Sequence, residues 1–498
     1  MPNRYLFAPA CLALLLALLP LELTAQRLLG VRWETPDGTE QARRELEAFH
    51  RIGITYLEID RMLSPSVWAM IDELNFKTFG ALPIRFPVAH TFSEPDSSFL
   101  DMMESLVRHY AGQESVQAIG LFQYGPVGDA RFIEAVTPFI RQINNSFSGE
   151  IYYLTKPTDS FATGTLFDFK MISIKTTNGV RAFSNSDEAI YSYSPSEELK
   201  PYLTPVKHFL EETASVPAPV YFDSQWLLET LKVYPEFRQT IQLYASDPEP
   251  VFATPKEFIQ TTSSHSLIVL LLVFVWGCFA VNYSFSPIFR RSMFRYFLGH
   301  KFYVDDIIQR HIRSMGPTGI MLLLHVILAG IAIYCYINAA FSDLAVEALS
   351  FHLPLSFLGG NFMASAVVGT SLATLAIEAI CVIWLYLTNR RMRKLSQVVN
   401  LYAWPMQLNL LLVTVMVTLL MAGSHATLIS VLAAGVLLIF LGSFIITSLD
   451  TIKYVKNKYL YLAGTTFLYS TFWIALFIWL FNNTYLTDIY SLAQWLSQ

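Results

Sequence analysis

Six apolar runs crowd the second half of this 498-residue chain, at about 266–285, 318–340, 363–387, 408–422, 428–449 and 465–481. Nothing else in the sequence limits its fold so strongly. A helix needs roughly 20 apolar residues to cross the hydrocarbon core, so the runs predict six spans between residues 266 and 485, with 486–498 as a tail. The fourth run is short, and only Gly423-Ser424-His425 and their neighbours part it from the fifth. These two are expected as a tight hairpin, with a re-entrant pair as the alternative.

Lys and Arg near span ends are retained on the cytoplasmic side. The segment after the first run carries Arg290, Arg291, Arg295, Lys301, Arg310 and Arg313. That after the third carries Arg390, Arg391, Arg393 and Lys394, and that after the fifth carries Lys453, Lys456 and Lys458. The other inter-run segments and the tail carry none. This asymmetry predicts that residues 26–265 and the C-terminal end lie outside. The first 25 residues give the same answer independently: Arg4, an apolar stretch, Pro20 and a small-residue ending at Ala25 have the plan of a secretory signal. An uncleaved anchor is the alternative. The expected location is a bacterial inner membrane, with the polar half on the periplasmic or extracytoplasmic side.

Only 15% of the residues are charged and the net charge is −5, which excludes an ordinary cytosolic enzyme and offers nothing to nucleic acid. Segment 26–265 has no cysteine, hence no disulfide framework and no thiolate zinc site. No metal and no cofactor is expected. Within residues 26–258, short β-branched and aromatic runs (28–34, 54–59, 76–83, 116–124, 150–154, 167–175, 219–223 and 251–253) alternate with amphipathic helical stretches. That alternation predicts a parallel sheet, and eight strands in this length suit a TIM-type (β/α) barrel. An open doubly wound sheet is the alternative, but the first strand is not followed by a Gly-rich phosphate turn. Residues 259–265 form a short polar linker.

The run Gly30-Val31-Arg32-Trp33, followed by 45–58 with its helix ending at Gly53, resembles the opening of retaining glycoside hydrolases with cellulase or β-galactosidase type barrels. Gly120 to Pro126 sits where that family carries an Asn-Glu-Pro motif on strand four, and Pro219 to Trp226 where it carries its nucleophile on strand seven. The resemblance implies a (β/α)8 fold and a sugar cleft. It also exposes departures: Tyr124-Gly125 stands at the acid position and Ser224 at the nucleophile position. Retaining hydrolysis needs two carboxyls about 5 Å apart, and neither position supplies one. A displaced pair would draw on Asp223 with Glu58 or Asp60, and Glu34 is a further acid near a strand end. Asp129 is the acid nearest to Gly125, beyond the turn. Without that chemistry, Trp33, Tyr124 and Trp226 would stack on sugar faces while Gln123 and Gln225 donate hydrogen bonds. In an ordinary barrel the same aromatics are core.

The membrane half is similar to uncharacterised multi-span families of bacterial envelope proteins in hydropathy and loop charge alone. Glu378 is the only acid well inside a span and His325 the only histidine well inside one. Counted from the inner span ends, they lie at depths of roughly 14 and 10 Å, matched closely enough to pair. Such a pair relays protons or ties helices together. Segment 286–316 mixes basic and aromatic residues, a pattern suited to the anionic inner leaflet. The expected partners are membrane lipids and a glycan or cell-wall ligand. The sequence thus points to a binding or sensing module, against two alternatives: an active glycosidase with a displaced pair, and a transporter with an accessory receptor domain.

Overall fold

The computed structural model describes residues 27–157, 166–175, 189–195, 199–200, 202–215, 218–246, 266–309, 314–353, 361–389, 392, 394–423 and 426–497. The signal-like segment, the expected strand at 251–253 and the linker lie outside the described residues. The chain forms two compact units, divided between Ile259 and Gln260.

The first unit is a closed barrel of eight parallel strands in sequential order. Its elements are β1 (Leu29–Trp33), α1 (Thr39–Arg51), β2 (Tyr56–Ile59), α2 (Pro65–Glu73), β3 (Lys77–Ala81), α3 (Ala89–Ser93), α4 (Ser97–Ala111), β4 (Val116–Gln123), α5 (Ala130–Ser146), β5 (Glu150–Thr155), β6 (Phe169–Ile174), β7 (Ala189–Tyr193), α6 (Thr204–Glu212), β8 (Val220–Asp223), α7 (Ser224–Val233) and α8 (Phe237–Ser246). β1 pairs with both β2 and β8, which closes the ring. α1 illustrates how local pattern builds the outer layer. Ala42, Leu46 and Phe49 recur at helical spacing and are buried, and Gly53 supplies the left-handed residue (φ 89°) that turns the chain toward β2. Asp129 caps α5, its carboxylate accepting from the Arg131 amide at 2.9 Å.

Two sequence expectations change. The segment 219–223 is the eighth strand and not the seventh; the seventh is Ala189–Tyr193, which the sequence reading passed over. Among the described residues no helix separates β5 from β6 or β6 from β7, so there the alternation that marks a strand elsewhere is missing ahead of β7, and a helix, α6, only follows it.

Among the described residues the second unit has six helices long and apolar enough to cross a membrane: Ser266–Phe285, Gly316–Ala340, Phe362–Thr388, Leu395–Met421, Ala426–Tyr454 and Lys458–Asn482. The fourth span is longer than its apolar run suggests. Helix Leu395–Tyr402 precedes helix Gln407–Met421 across a short break at Trp404-Pro405, and Gly423 (φ 75°) begins the turn to the fifth. Segment 286–316 includes two helices, Pro287–Leu298 and His300–Ile308. They bury Phe289, Tyr296, Tyr303 and Ile307 in the unit and leave Phe294, Phe297 and Phe302 exposed. The tail is a helix, Thr484–Ser497. It returns to the end of the second span, where the Ser342 hydroxyl donates to the Leu496 carbonyl at 2.9 Å. Four of the long apolar helices lie between these two ends in the chain, an even number.

Candidate functional site

Phe79 on β3 meets the rings of Tyr56, Tyr152, Phe169 and Tyr221, at centroid distances of 5.6–5.9 Å. Those residues stand on β2, β5, β6 and β8, and strands not adjacent to β3 reach it only through the interior. The aromatic layer therefore fills the barrel's middle. Gly30 and Gly120 make room for it: a Cβ at either would lie 2.6 Å from the ring of Tyr221 or Tyr152.

Successive side chains on a strand point to opposite faces. With Gly30 inward on β1, Arg32 is inward as well, and Tyr56 and Glu58 share the inner face of β2. Glu58, 4% exposed, is ion-paired to Arg32 Nε and accepts from the Tyr152 hydroxyl at 2.7 Å. Burial, then the Glu58 charge, holds the Tyr152 phenol well above its usual range, so it remains a donor. Glu58, which the sequence offered for a displaced pair with Asp223, is thus inside the barrel and engaged on both oxygens.

The rim acids stand together on one wall, at the C-terminal ends of β8, β1 and β2. Asp223 caps α7, accepting from the Trp226 amide at 2.9 Å. Glu34 accepts from Gln225 Nε2, and its own amide donates to Ser224 Oγ at 3.1 Å. Burial, followed by the like charges of Asp223 and Asp60, raises the Glu34 carboxyl above its usual range. Burial does the same for Asp60, against the opposing pull of Arg61. Beside them opens a polar concavity of about 320 Å³, whose walls include Glu34, Thr35, Asp37, Gln41, Arg61 and Gln225.

The aromatic candidates lie elsewhere. By the same alternation Trp33 points out of the barrel, where its indole N–H donates to Glu45 of α1 at 2.8 Å. Trp226 belongs to the helical layer: it meets Tyr193 at 5.0 Å and donates to the Lys200 carbonyl at 3.2 Å. Both are buried in the hydrophobic core, so neither offers a face to a cleft. Tyr124 is buried at the end of β4. It stacks on Phe86 at 5.6 Å and donates to Ser173 Oγ at 2.8 Å. Both stacked residues have left-handed backbones, φ 59° and 51°, a strained geometry that the surrounding structure must enforce. Gln123 is half-buried, and its amide and carbonyl bridge Ile84 and Phe86 at 2.9 and 2.8 Å. Of the five ligand candidates, Gln225 alone lines the concavity. Arg32 and Tyr152 received no role from the sequence, although the isolated Arg between Val31 and Trp33 was a visible signal of the inward face.

β4 ends at Gln123 and β7 at Tyr193, neither an acid. In the second unit His325 and Glu378 do meet, Nδ1 to Oε1 at 2.6 Å, both buried. Among the described residues no three His, Cys, Asp or Glu side chains converge to hold a metal.

Neither a family model nor a curated protein matches the chain. Solved structures that it is similar to include Bacteroides uniformis β-glucuronidase 2 covalently bound to cyclophellitol-6-carboxylate aziridine. That match has 12% identity and a TM-score of 0.33, and covers 39% of this chain and 30% of that one. A GH113 β-1,4-mannanase is similar at 13% identity and a TM-score of 0.34, over 44% of this chain and 98% of that one. The endo-1,4-β-mannanase of Rhizomucor miehei is similar at 8% identity and a TM-score of 0.28, over 39% and 85%. The chain thus spans about 30% of the length of the β-glucuronidase. The fold assignment rests on this chain's own strand pairing.

Proposed function

We propose that the barrel binds a glycan or other polyhydroxylated envelope component at its C-terminal mouth without hydrolysing it, and that the membrane half holds this receptor on the outer face of a bacterial inner membrane. The observation that carries the reading is the placement of the carboxylates. A retaining hydrolase protonates the leaving oxygen with one carboxyl and attacks the sugar with another, so the pair must flank the ligand. Glu58 is sequestered by Arg32 and Tyr152, and Asp223, Glu34 and Asp60 share one wall, on the same side of anything bound in the mouth. The concavity beside them offers amide, carboxylate and guanidinium groups, suited to hydroxyls more than to an apolar ligand. Basic residues after the first, third and fifth spans support the orientation.

The test is thermal unfolding of the detergent-solubilised full chain against a panel of neutral and acidic oligosaccharides, with reducing-sugar release measured in parallel. Stabilisation by at least one glycan, weakened by Gln225→Ala and accompanied by no release, is the expected result. Release that disappears in Asp223→Asn would establish the displaced-pair glycosidase instead, and no stabilisation by any oligosaccharide would remove the glycan.

A further inference from the structure

Four spans of the second unit meet around polar side chains that the barrel does not use. His325 lies on the second span and Glu378 on the third, about 14–15 Å from the near helix ends at 1.5 Å per residue. Asn409 lies on the fourth. Gly330 lets the second and third spans close, since a Cβ there would lie 2.4 Å from Ser371 Oγ and 3.1 Å from the Val367 carbonyl. His325 Nδ1 is 2.6 Å from Glu378 Oε1, and its Nε2 is 2.8 Å from Asn409 Nδ2. Phe440 of the fifth span stacks on the imidazole at 5.6 Å. His325, Glu378 and Asn409 are at most 2% exposed.

Hydrogen-bond chemistry assigns the protons in this cluster. Asn409 Nδ2 also faces the Val436 carbonyl at 3.4 Å. A carbonyl only accepts, so the NH2 end of the amide is the end that faces both partners. A donor aimed at Nε2 requires that nitrogen to be bare, which leaves the imidazole proton on Nδ1, donated to Glu378 Oε1. Glu378 Oε2 and Asn409 Oδ1 then remain as buried acceptors without a hydrogen-bond partner among the described residues, an arrangement that calls for an explanation in a folded protein. The titratable groups facing Glu378 are His325 on the second span, Cys381 one turn along its own helix and Tyr402 on the fourth. Tyr469 of the sixth span lies beside Cys381, and the fifth span contributes the uncharged Phe440.

We propose that this cluster is a binding site for one exchangeable proton. Glu378 takes the proton from the aqueous phase on Oε2, its carboxylate becoming a carboxylic acid, while the His325 Nδ1–H stays on Oε1 and no other bond changes. Asn409 is a positioning residue that keeps His325 in the one tautomer able to donate to Glu378. Cys381, Tyr402 and Tyr469 continue the polar path from this point. The membrane half is thereby proton-responsive, and not an inert anchor. This inference stands apart from the ligand of the barrel.

The experiment is infrared difference spectroscopy of the full chain in phosphatidylcholine–phosphatidylglycerol liposomes, titrated across roughly two pH units either side of neutrality. A carboxylic-acid C=O band that grows as pH falls is expected, absent from Glu378→Gln and displaced in its midpoint in Asn409→Leu, where Nε2 is released. A pair that merely ties the spans together keeps one protonation state throughout. Coincident spectra for the wild type and Glu378→Gln overturn the proposal. Should Glu378→Gln not assemble, an Asn409→Leu midpoint equal to that of the wild type overturns it as well.

Discussion

A carboxylate in the middle of a barrel persists only if its charge is balanced, and for Glu58 the balance comes from Arg32 and the Tyr152 hydroxyl. Removing one partner of a buried ion pair costs about 3–5 kcal/mol, because the other is left uncompensated. Arg32→Met is therefore expected to lower barrel stability by about that amount in chemical denaturation. Arg32→Met/Glu58→Met should recover much of the loss, and a double variant no better than the single would show that the charges are not coupled. Asp60 is ion-paired to Arg61 at 3.8 Å, yet burial outweighs that pairing. Burial, offset in part by Arg61, raises its carboxyl, so the folded protein holds that proton more tightly than the unfolded chain does. Its contribution to stability then declines as pH rises from the ordinary carboxylate value through the raised folded one. Asp60→Asn should raise the unfolding midpoint at neutral pH, and the gain should vanish near about pH 3, where both states are protonated. A gain that persisted in acid would assign the effect to something other than the charge.

The decisive element-scale feature is the pleat of β1. Gly30 and Arg32 face the interior, while Val31 and Trp33 face the helical layer, Trp33 against α1. Trp33 thereby becomes core, although its position near a strand end is where a sugar platform would stand. Gly30→Ala would force the Tyr221 ring out of its place, since the added Cβ falls 2.6 Å from it. Overpacking of this kind costs roughly 1–3 kcal/mol, to be read as a lowered thermal midpoint. Gly53→Ala meets no neighbour but must hold φ 89°, so its cost is conformational and not steric. β7 escaped the sequence reading for a reason belonging to this scale. It is five residues long, buried throughout, and among the described residues no helix precedes it after β6. One consequence is that the seventh strand ends at Tyr193, while Asp223 ends the eighth.

For the whole molecule, the proposed sidedness is the claim with the widest consequences, and two introduced cysteines test it. Lys301→Cys, between the first two spans, should resist a membrane-impermeant maleimide in intact spheroplasts. Asp343→Cys, just beyond the second span, should react; the reverse pattern would invert the protein. The lengths and periods of apolar runs were legible because they are local properties. Six long apolar helices were readable as hydrophobic stretches, and seven of the barrel strands as β-branched and aromatic runs. The matched depths of His325 and Glu378 were legible too, since the rise of a helix is constant. What the tertiary structure alone decided is which side chains share a space: Glu58 with Arg32 and Tyr152 across the barrel, Trp33 and Trp226 in the outer core, three rim acids on one wall, and Asn409 brought to His325 from a third span. Those encounters depend on strand order, inward or outward pleat and helix rotation, and all three are set by closure and packing between segments far apart in the chain.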